Sequence, residues 1–293
     1  MNVIMTNTET WGGNLQNTAN IFQNLINRLL VVKGTCPECG GDLYAWKNKR
    51  PDGSDRCAPT CMNCGFYDLK AKADVQTNQL YEDSLKKRAI NFFKYHSVVP
   101  DESLFKKSFD NFQTNEEETA IALNNSLQFV DDVVSGENVH FVLSGNSGVG
   151  KSHLSMAISQ AIIENSDYQK KCLFINYREL LERRRGSFNN PEEAKNQQEL
   201  LLDIKTTDFV VIDDLGAELG ADLGKGSTSY NNDTLYGILE ARQNKALLIN
   251  TNLTSEEIKK AYGDRILSRI MMNARAYSMR LDKTTDKRIR GVS

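Results

Sequence analysis

The chain has 293 residues, 40% hydrophobic and 25% charged, which suits one ordinary core plus a smaller unit and excludes a chain disordered throughout. Lys and Arg total 36 against 38 Asp and Glu, so bulk charge gives no drive toward nucleic acid or anionic lipid, and any polyanion site must be local. The opening MNVIMTNTETWGGN lacks a signal-peptide pattern and no stretch reaches the roughly 18 apolar residues of a membrane helix, so we expect a cytoplasmic protein with no membrane contact.

Residues 17–32 place Ile21, Phe22, Leu25, Ile26, Leu29 and Leu30 at helical spacing. This predicts a short amphipathic helix that packs on its own domain or docks a partner. Residues 34–68 are rich in cysteine and turns and hold little apolar material, so something other than a core must staple them. CPECG (36–40) and CMNCG (61–65) are two CxxCG knuckles, and thiols in a reducing compartment point to metal rather than disulfides. Cys36, Cys39, Cys61 and Cys64 can surround one Zn²⁺, and four thiolates leave no open position for catalysis, which makes the ion structural. The intervening YAWKNKR predicts a hairpin arm of a zinc ribbon. Cys57 is left over, with a CxxxC pairing to Cys61 as the alternative, while Cys172 sits in an apolar run and reads as core. Lys47, Lys49, Arg50 and Arg56 beside Tyr44 and Trp46 offer a DNA-binding surface; protein contact is the preferred reading of this unit.

Residues 70 to about 107 turn helical and basic, then break at Pro100. The expected division is an N-terminal helix and zinc-binding domain (1–75), a helical linker (76–114) and a larger domain (115–293). In the last, helical patterns alternate with VHFVL (139–143), CLFIN (172–176), FVVID (209–213) and ALLIN (246–250), the pattern of an α/β fold whose parallel sheet carries helices on both faces. The glycine-rich LGAELGADLGKGSTSYNND (215–233) predicts a long loop.

GNSGVGKS (145–152) matches the G-x-x-x-x-G-K-[ST] phosphate loop between a strand pattern and a helix pattern. Inward-pointing amides and the helix start favour phosphate, so Gly145, Asn146, Ser147, Gly148, Val149, Gly150, Lys151, Ser152 and His153 form the expected nucleotide-binding set. FVVIDDLG places two carboxylates at a strand end, where α/β sheets put ligands. Ser152 and Asp213 are the expected Mg²⁺ residues, and Asp214 is placed to orient or deprotonate an attacking water. At the end of ALLINTNL, Asn252 is the preferred γ-phosphate sensor over Asn250 and Thr251.

The order GNSGVGKSHL, VVIDDLGAE, LYGILEARQNKALLINTNL and GDRILSRIMM resembles the AAA+ ATPases of the DnaC/DnaI type, which load bacterial replicative helicases, over roughly residues 90–293. Transposon-encoded helper ATPases of the IstB type share nearly the same motifs. The resemblance implies a P-loop AAA+ domain that binds ATP or ADP between neighbouring subunits, with Arg269, or Arg265 close behind, reaching the neighbour's γ-phosphate, and Arg280 as a late sensor arginine. It further implies a hexameric helicase partner, a homo-oligomer in the ATP state, and a helical insertion at 177–204 whose Arg183, Arg184 and Arg185 meet single-stranded DNA, unless they form a solvated face balanced by Glu179, Glu182, Glu192 and Glu193. An N-terminal metal-binding domain fits loaders of Gram-positive bacteria and their phages. The second acid is Asp, not Glu, and little chain follows Arg269, features that favour a slow ATP-hydrolysing switch over a motor. The alternatives are a transposition helper of the IstB type and a non-hydrolysing zinc-ribbon adaptor.

Overall fold

The computed structural model describes residues 12–220, 226–274 and 276–287, leaving aside the side chains of 12–20 and 68–75. The chain divides into two compact units at Asp83/Ser84.

The first unit holds α1 (Gly12–Leu29) and a three-stranded antiparallel sheet of β1 (Leu30–Thr35), β2 (Asp42–Trp46) and β3 (Thr60–Cys61) in that order. Its apolar burial is slight: Cys36, Ala45 and Cys61 are the buried hydrophobic positions described here, while Ile21, Phe22 and Leu25 of α1 stand exposed. A unit this poor in core needs a cross-link to hold its strands.

Helix α2 (Asp68–His96) begins in the first unit and ends in the second. Of the segment 76–114 expected as a linker, residues 84–114 pack within the second unit: Val98 pairs with Ile175, and Phe93 and Phe112 join its core. Two 3-10 turns, Glu102–Lys106 and Phe109–Asn111, replace helix after Pro100.

The second unit is a five-stranded, wholly parallel sheet. In chain order its elements are α3 (Glu117–Ser135), β4 (His140–Gly145), α4 (Lys151–Asn165), β5 (Cys172–Asn176), α5 (Tyr177–Gly186), α6 (Pro191–Thr206), β6 (Phe209–Leu215), α7 (Ser229–Ala241), β7 (Ala246–Thr251), α8 (Ser255–Tyr262), α9 (Asp264–Met271) and β8 (Ser278–Leu281). The spatial order β5-β6-β7-β4-β8 sets the chain reversal at β4, so ligands are expected at the C-terminal strand ends there. Strand alternation makes two cores. Phe141 and Leu143 face Phe129 and Ile158, whereas Val142 joins the opposite cluster with Leu180, Ile238 and Ile270.

The four apolar runs of the sequence are strands, as is a fifth, SMRL, which the sequence did not announce. Only Leu281 of that edge strand is buried, so it carries no continuous apolar run. The stretch 215–233 is less loop than expected: Ala217–Leu219 forms a 3-10 turn and α7 starts at Ser229, while 221–225 lie outside the described residues.

Arg242 is the largest fully buried side chain among the described residues. Its Nη1 donates to Ile204 O and Thr207 O (both 2.8 Å), and its Nη2 donates to Asp208 O (3.1 Å) and Ala246 O (2.5 Å). One guanidinium thereby ties the end of α6 to the starts of β6 and β7. Burial lowers it to about 9, which leaves it charged at neutral pH.

Candidate nucleotide site

Gly145, at the end of β4, has φ +141, and a β-carbon there would fall 2.4 Å from Leu281 O. Only glycine allows this strand to turn out beside β8. The loop closes at Gly150, in left-handed conformation, and α4 begins at Lys151. Lys151 is nearly buried; its Nζ donates to Gly145 O (2.8 Å), Asn146 O (2.7 Å) and Asn252 Oδ1 (2.7 Å). The ammonium therefore sits inside the curl of the loop, and phosphate oxygens offer it stronger, charge-assisted acceptors than these carbonyls.

Ser152 Oγ donates to Asp213 at 3.0 Å (Oδ1) and 3.1 Å (Oδ2). Asn250 Nδ2 donates to Asp213 Oδ1 (2.6 Å) and to Ser155 Oγ (2.8 Å). Burial raises the Asp213 carboxyl to about 6, Asp214 adding to the rise while Asn250, Ser152 and Lys151 oppose it. A hydroxyl and a buried carboxylate side by side make an oxygen donor set that fits Mg²⁺, whose charge would reverse that upward push. Asp214 takes φ +61 where β6 slips register against β7, between Ile212 and Leu215. The conformation is uncommon for a side-chain-bearing residue, at about 1 kcal/mol, and persists because Thr251 Oγ1 pins Leu215 O at 2.7 Å. It turns Asp214 toward the same cleft as Asp213.

That cleft has a volume of about 760 Å³ and takes its polar wall from Lys151, Ser152, Asp213, Asp214, Asn250 and Asn252. The phosphate loop supplies its floor, and Asp101, Lys107, Phe112 and Gln113 from the 3-10 segment, with Lys287 from late in the chain, add to its lining. No sequence pattern marks these latter residues; tertiary docking brings them in. His153 donates through Nε2 to Ser108 O (2.9 Å), and its imidazole lies below the usual range through burial first and the nearby Lys107 and Lys287 second.

Of the expected nucleotide and Mg²⁺ residues, Ser147, Gly148, Gly150, Lys151, Ser152, His153, Asp213, Asp214 and Asn252 meet at the cleft. Gly145 and Asn146 turn their carbonyls to Lys151, and Val149 is buried in the core beneath the loop. The preference for Asn252 over Asn250 divides two roles: Asn252 faces Lys151 and Asn250 aims Asp213. Arg280, expected in the cofactor set, stands elsewhere. Its Nε donates to Asp282 Oδ2 (2.5 Å), and it lines a separate small cleft with Ser144, Thr251 and Met279.

Arg269, on α9, donates through Nε to Glu240 Oε2 (2.5 Å) and through Nη2 to Tyr236 OH (2.7 Å), with its guanidinium 4.3 Å from the Tyr236 ring. Arg265, one turn earlier, is exposed, and its guanidinium makes no hydrogen bond among the described residues. Arg183 pairs with Glu179 (2.6 Å), Arg184 donates to Thr234 Oγ1 (2.5 Å) and Arg185 to Asn231 Oδ1 (2.8 Å). Only Arg183 is balanced by one of the expected glutamates, while Arg184 and Arg185 are held by neutral side chains of α7.

In the first unit the Sγ atoms of Cys36, Cys39, Cys61 and Cys64 lie within 4.8 Å of one another, with Cys36–Cys64 and Cys39–Cys61 at 3.5 Å. Cys57 is exposed and outside this group. The four thiols share their protons unevenly: the backbone amide of Cys64 lowers the Cys61 thiol to about 7, whereas Cys64 is pushed up to about 12, the lowering Phe66 amide being outweighed by burial and the neighbouring thiols. Four converging thiols fit a structural Zn²⁺.

A parallel α/β sheet with a lysine-tipped phosphate loop and a paired strand-end carboxylate defines a P-loop nucleotide-binding protein with AAA+-like architecture. The family model for IstB-like ATP binding proteins matches residues 85–281, more than half of the chain, and the chain belongs to that family. It is 26% identical over 169 residues to the replicative helicase loader DnaC of Escherichia coli (strain K12), covering 56% of this chain and 63% of that protein. It is 24% identical over 170 residues to the uncharacterized protein YdaV of the same strain, covering 57% and 63%. The crystal structure of the DnaC helicase loader shares the fold at a TM-score of 0.50 and 20% identity, over 62% of this chain and 99% of that one. The resemblance to the DnaC type is thereby borne out at the level of family, and the match spans less than two thirds of the curated relatives' length. No helix among the described residues is long and apolar enough to cross a membrane.

Proposed function

We propose that the protein is an ATP-dependent loader of a hexameric replicative helicase onto single-stranded DNA, working as a slow, nucleotide-controlled assembly switch. The observation that carries this reading is the convergence of Lys151, Asn252, Ser152 and Asp213 at one cleft in a chain homologous to a helicase loader.

Lys151 binds the β and γ phosphates, and the loop amides and the start of α4 add positive potential. Ser152 and Asp213 hold Mg²⁺, with Asn250 fixing the carboxylate's angle. When bound, Mg²⁺ would offset the negative charge of the phosphates. Asp214 orients the attacking water and takes its proton, while Asn252 senses the γ-phosphate through Lys151. Arg265 supplies the trans-acting guanidinium to a neighbouring protomer; Arg269 takes that part only by releasing Glu240 and Tyr236. Nucleotide state is thereby linked to assembly.

The zinc unit grips the helicase. Exposed Ile21, Phe22 and Leu25 on α1 support protein contact, and the basic side chains near Trp46 are partly used within the unit, Lys47 on Asn27 O (2.6 Å) and Arg50 on Arg56 O (3.0 Å). Single-stranded DNA falls to the α5–α6 surface, where Arg184 and Arg185 would exchange present partners for phosphate.

The test is to mix the protein with a hexameric replicative helicase from its host, with and without ATP and single-stranded DNA, and measure complex mass. A helicase complex that forms through the zinc unit and changes with ATP supports the reading. Capture of a transposase and duplex DNA instead identifies a transposition helper, the second reading that the family match favours. Helicase delivery that survives Lys151→Ala and is lost in Cys36→Ser identifies a non-hydrolysing adaptor.

A further inference from the structure

Beyond Leu281 the chain turns back along the phosphate loop. Asn146 N–H donates to Leu281 O (3.4 Å), and Lys287 N–H donates to Gly148 O (3.1 Å). Between these points the Asp286 carboxylate lies so close to Gly148 that a β-carbon there would fall 1.9 Å from Oδ1. Gly148 has φ +81, a backbone conformation that favours glycine, and a larger residue would also push the Asp286 side chain aside.

The strap, residues 282–287, is anchored at the start of α3, on Glu118 and on Glu116 just before the helix. Thr284 donates to Glu118 Oε2 through its N–H (2.9 Å) and Oγ1 (2.8 Å), and Thr285 Oγ1 donates to Glu116 Oε1 (2.6 Å). Lys283 N–H adds a third bond to Glu118 (3.0 Å). So held, the strap sets Lys287 in the cleft wall, where Nζ donates to Gln113 O (2.5 Å) and lies 4.9 Å from the Phe112 ring. Phe112 in turn meets His153 edge-on at 5.2 Å. Lys287 is tied to the phosphate loop by its backbone, and its side chain lines the cleft that Lys151 also lines, which places a cation for a polyphosphate.

We propose that the strap 282–287 is a wall of the nucleotide cleft and that Lys287 is a nucleotide-binding residue contacting the phosphates of a nucleoside di- or triphosphate, with Glu116 and Glu118 as positioning residues that hold the strap. The assignment rests on the cleft being a nucleotide site. It gives Lys287 the part that the sequence suggested for Arg280, which faces Asp282 instead. An ammonium gains more from a phosphate oxygen than from the Gln113 carbonyl, so nucleotide draws Lys287 inward and tightens the strap.

The experiment is calorimetric titration of the full chain with ATP and with ADP, each with Mg²⁺. Lys287→Met is expected to weaken both about tenfold, Lys287→Arg to restore most of the affinity, and Arg280→Met to leave it unchanged. Glu116→Gln with Glu118→Gln should weaken binding by a similar factor, although neither carboxylate lines the cleft. Tryptic cleavage at Lys283 and Lys287 of the unaltered protein should slow when ATP and Mg²⁺ are added, a readout that does not depend on the variants folding. Unchanged affinity in Lys287→Met, or unchanged cleavage with nucleotide bound, overturns the assignment. If Lys151→Ala loses uptake in the same series, the cleft reading survives that failure; if the unaltered protein takes up no nucleotide, both fall.

Discussion

Asn250 Nδ2 donates to Asp213 Oδ1 at 2.6 Å, so the end of β7 aims the carboxylate at the end of β6 toward Ser152. Outer groups that orient a metal-binding carboxylate commonly matter by one to two orders of magnitude. Asn250→Ala is expected to weaken Mg²⁺-dependent ATP binding about tenfold while leaving the affinity measured in EDTA unchanged. Equal losses in both conditions would mean that Asn250 acts on the loop and not on the carboxylate.

Burying Asp213 as a carboxylate carries a stability penalty. Its carboxyl is raised to about 6 in the fold, against near 4 in an unfolded chain. A raised acid binds protons more tightly when folded, so the penalty is absent below about pH 4, grows from about pH 4 to 6 and is constant above. Asp213→Asn should therefore stabilise the ligand-free ATPase unit by about 1–3 kcal/mol at pH 7.5. Denaturant melts at pH 7.5 and pH 4.5 should show the gap shrinking on acidification; a gap independent of pH contradicts this account.

Arg242 should be among the most sensitive positions outside the cleft. Arg242→Leu strands the four carbonyls that the guanidinium now satisfies, with an expected loss of about 3–5 kcal/mol. Arg242→Lys should recover little, because an ammonium cannot span the ends of α6, β6 and β7 together. Urea midpoints for the two variants measure this directly.

In the first unit, stability should follow the metal. Chelation, or Cys36→Ser, is expected to remove the cooperative unfolding of residues up to 83 and leave the second unit's melt in place, whereas Cys57→Ser should change neither. Calorimetric scans with metal analysis would read both, at one Zn²⁺ per chain.

Much of the cleft was legible because its chemistry is local in sequence: GNSGVGKS curls on itself, and Asp213 and Asp214 end an apolar run. The cysteine knuckles are legible for the same reason. What could not be read arrives from afar. Phe112 and Lys107 lie in a segment that composition marks as linker. Lys287 also meets the loop through long-range contacts, its strap being bonded to Gly148 and, through Thr284 and Thr285, to Glu118 and Glu116, 166 and 169 residues earlier. Edge strand β8 buries one side chain of four, too little for an apolar signal, so Arg280 was placed by motif and not by the strand that turns it away. Arg242 reads as one more charged residue in a helix until its carbonyl partners are seen.

The most direct test is a calorimetric titration of the zinc-loaded protein with ATP and Mg²⁺, beside Lys151→Ala. Uptake of one nucleotide per chain, abolished by the substitution while the melting profile is retained, is the predicted result. Folded, unaltered protein that absorbs no adenine nucleotide, or a Lys151→Ala protein that binds it undiminished, would contradict the account.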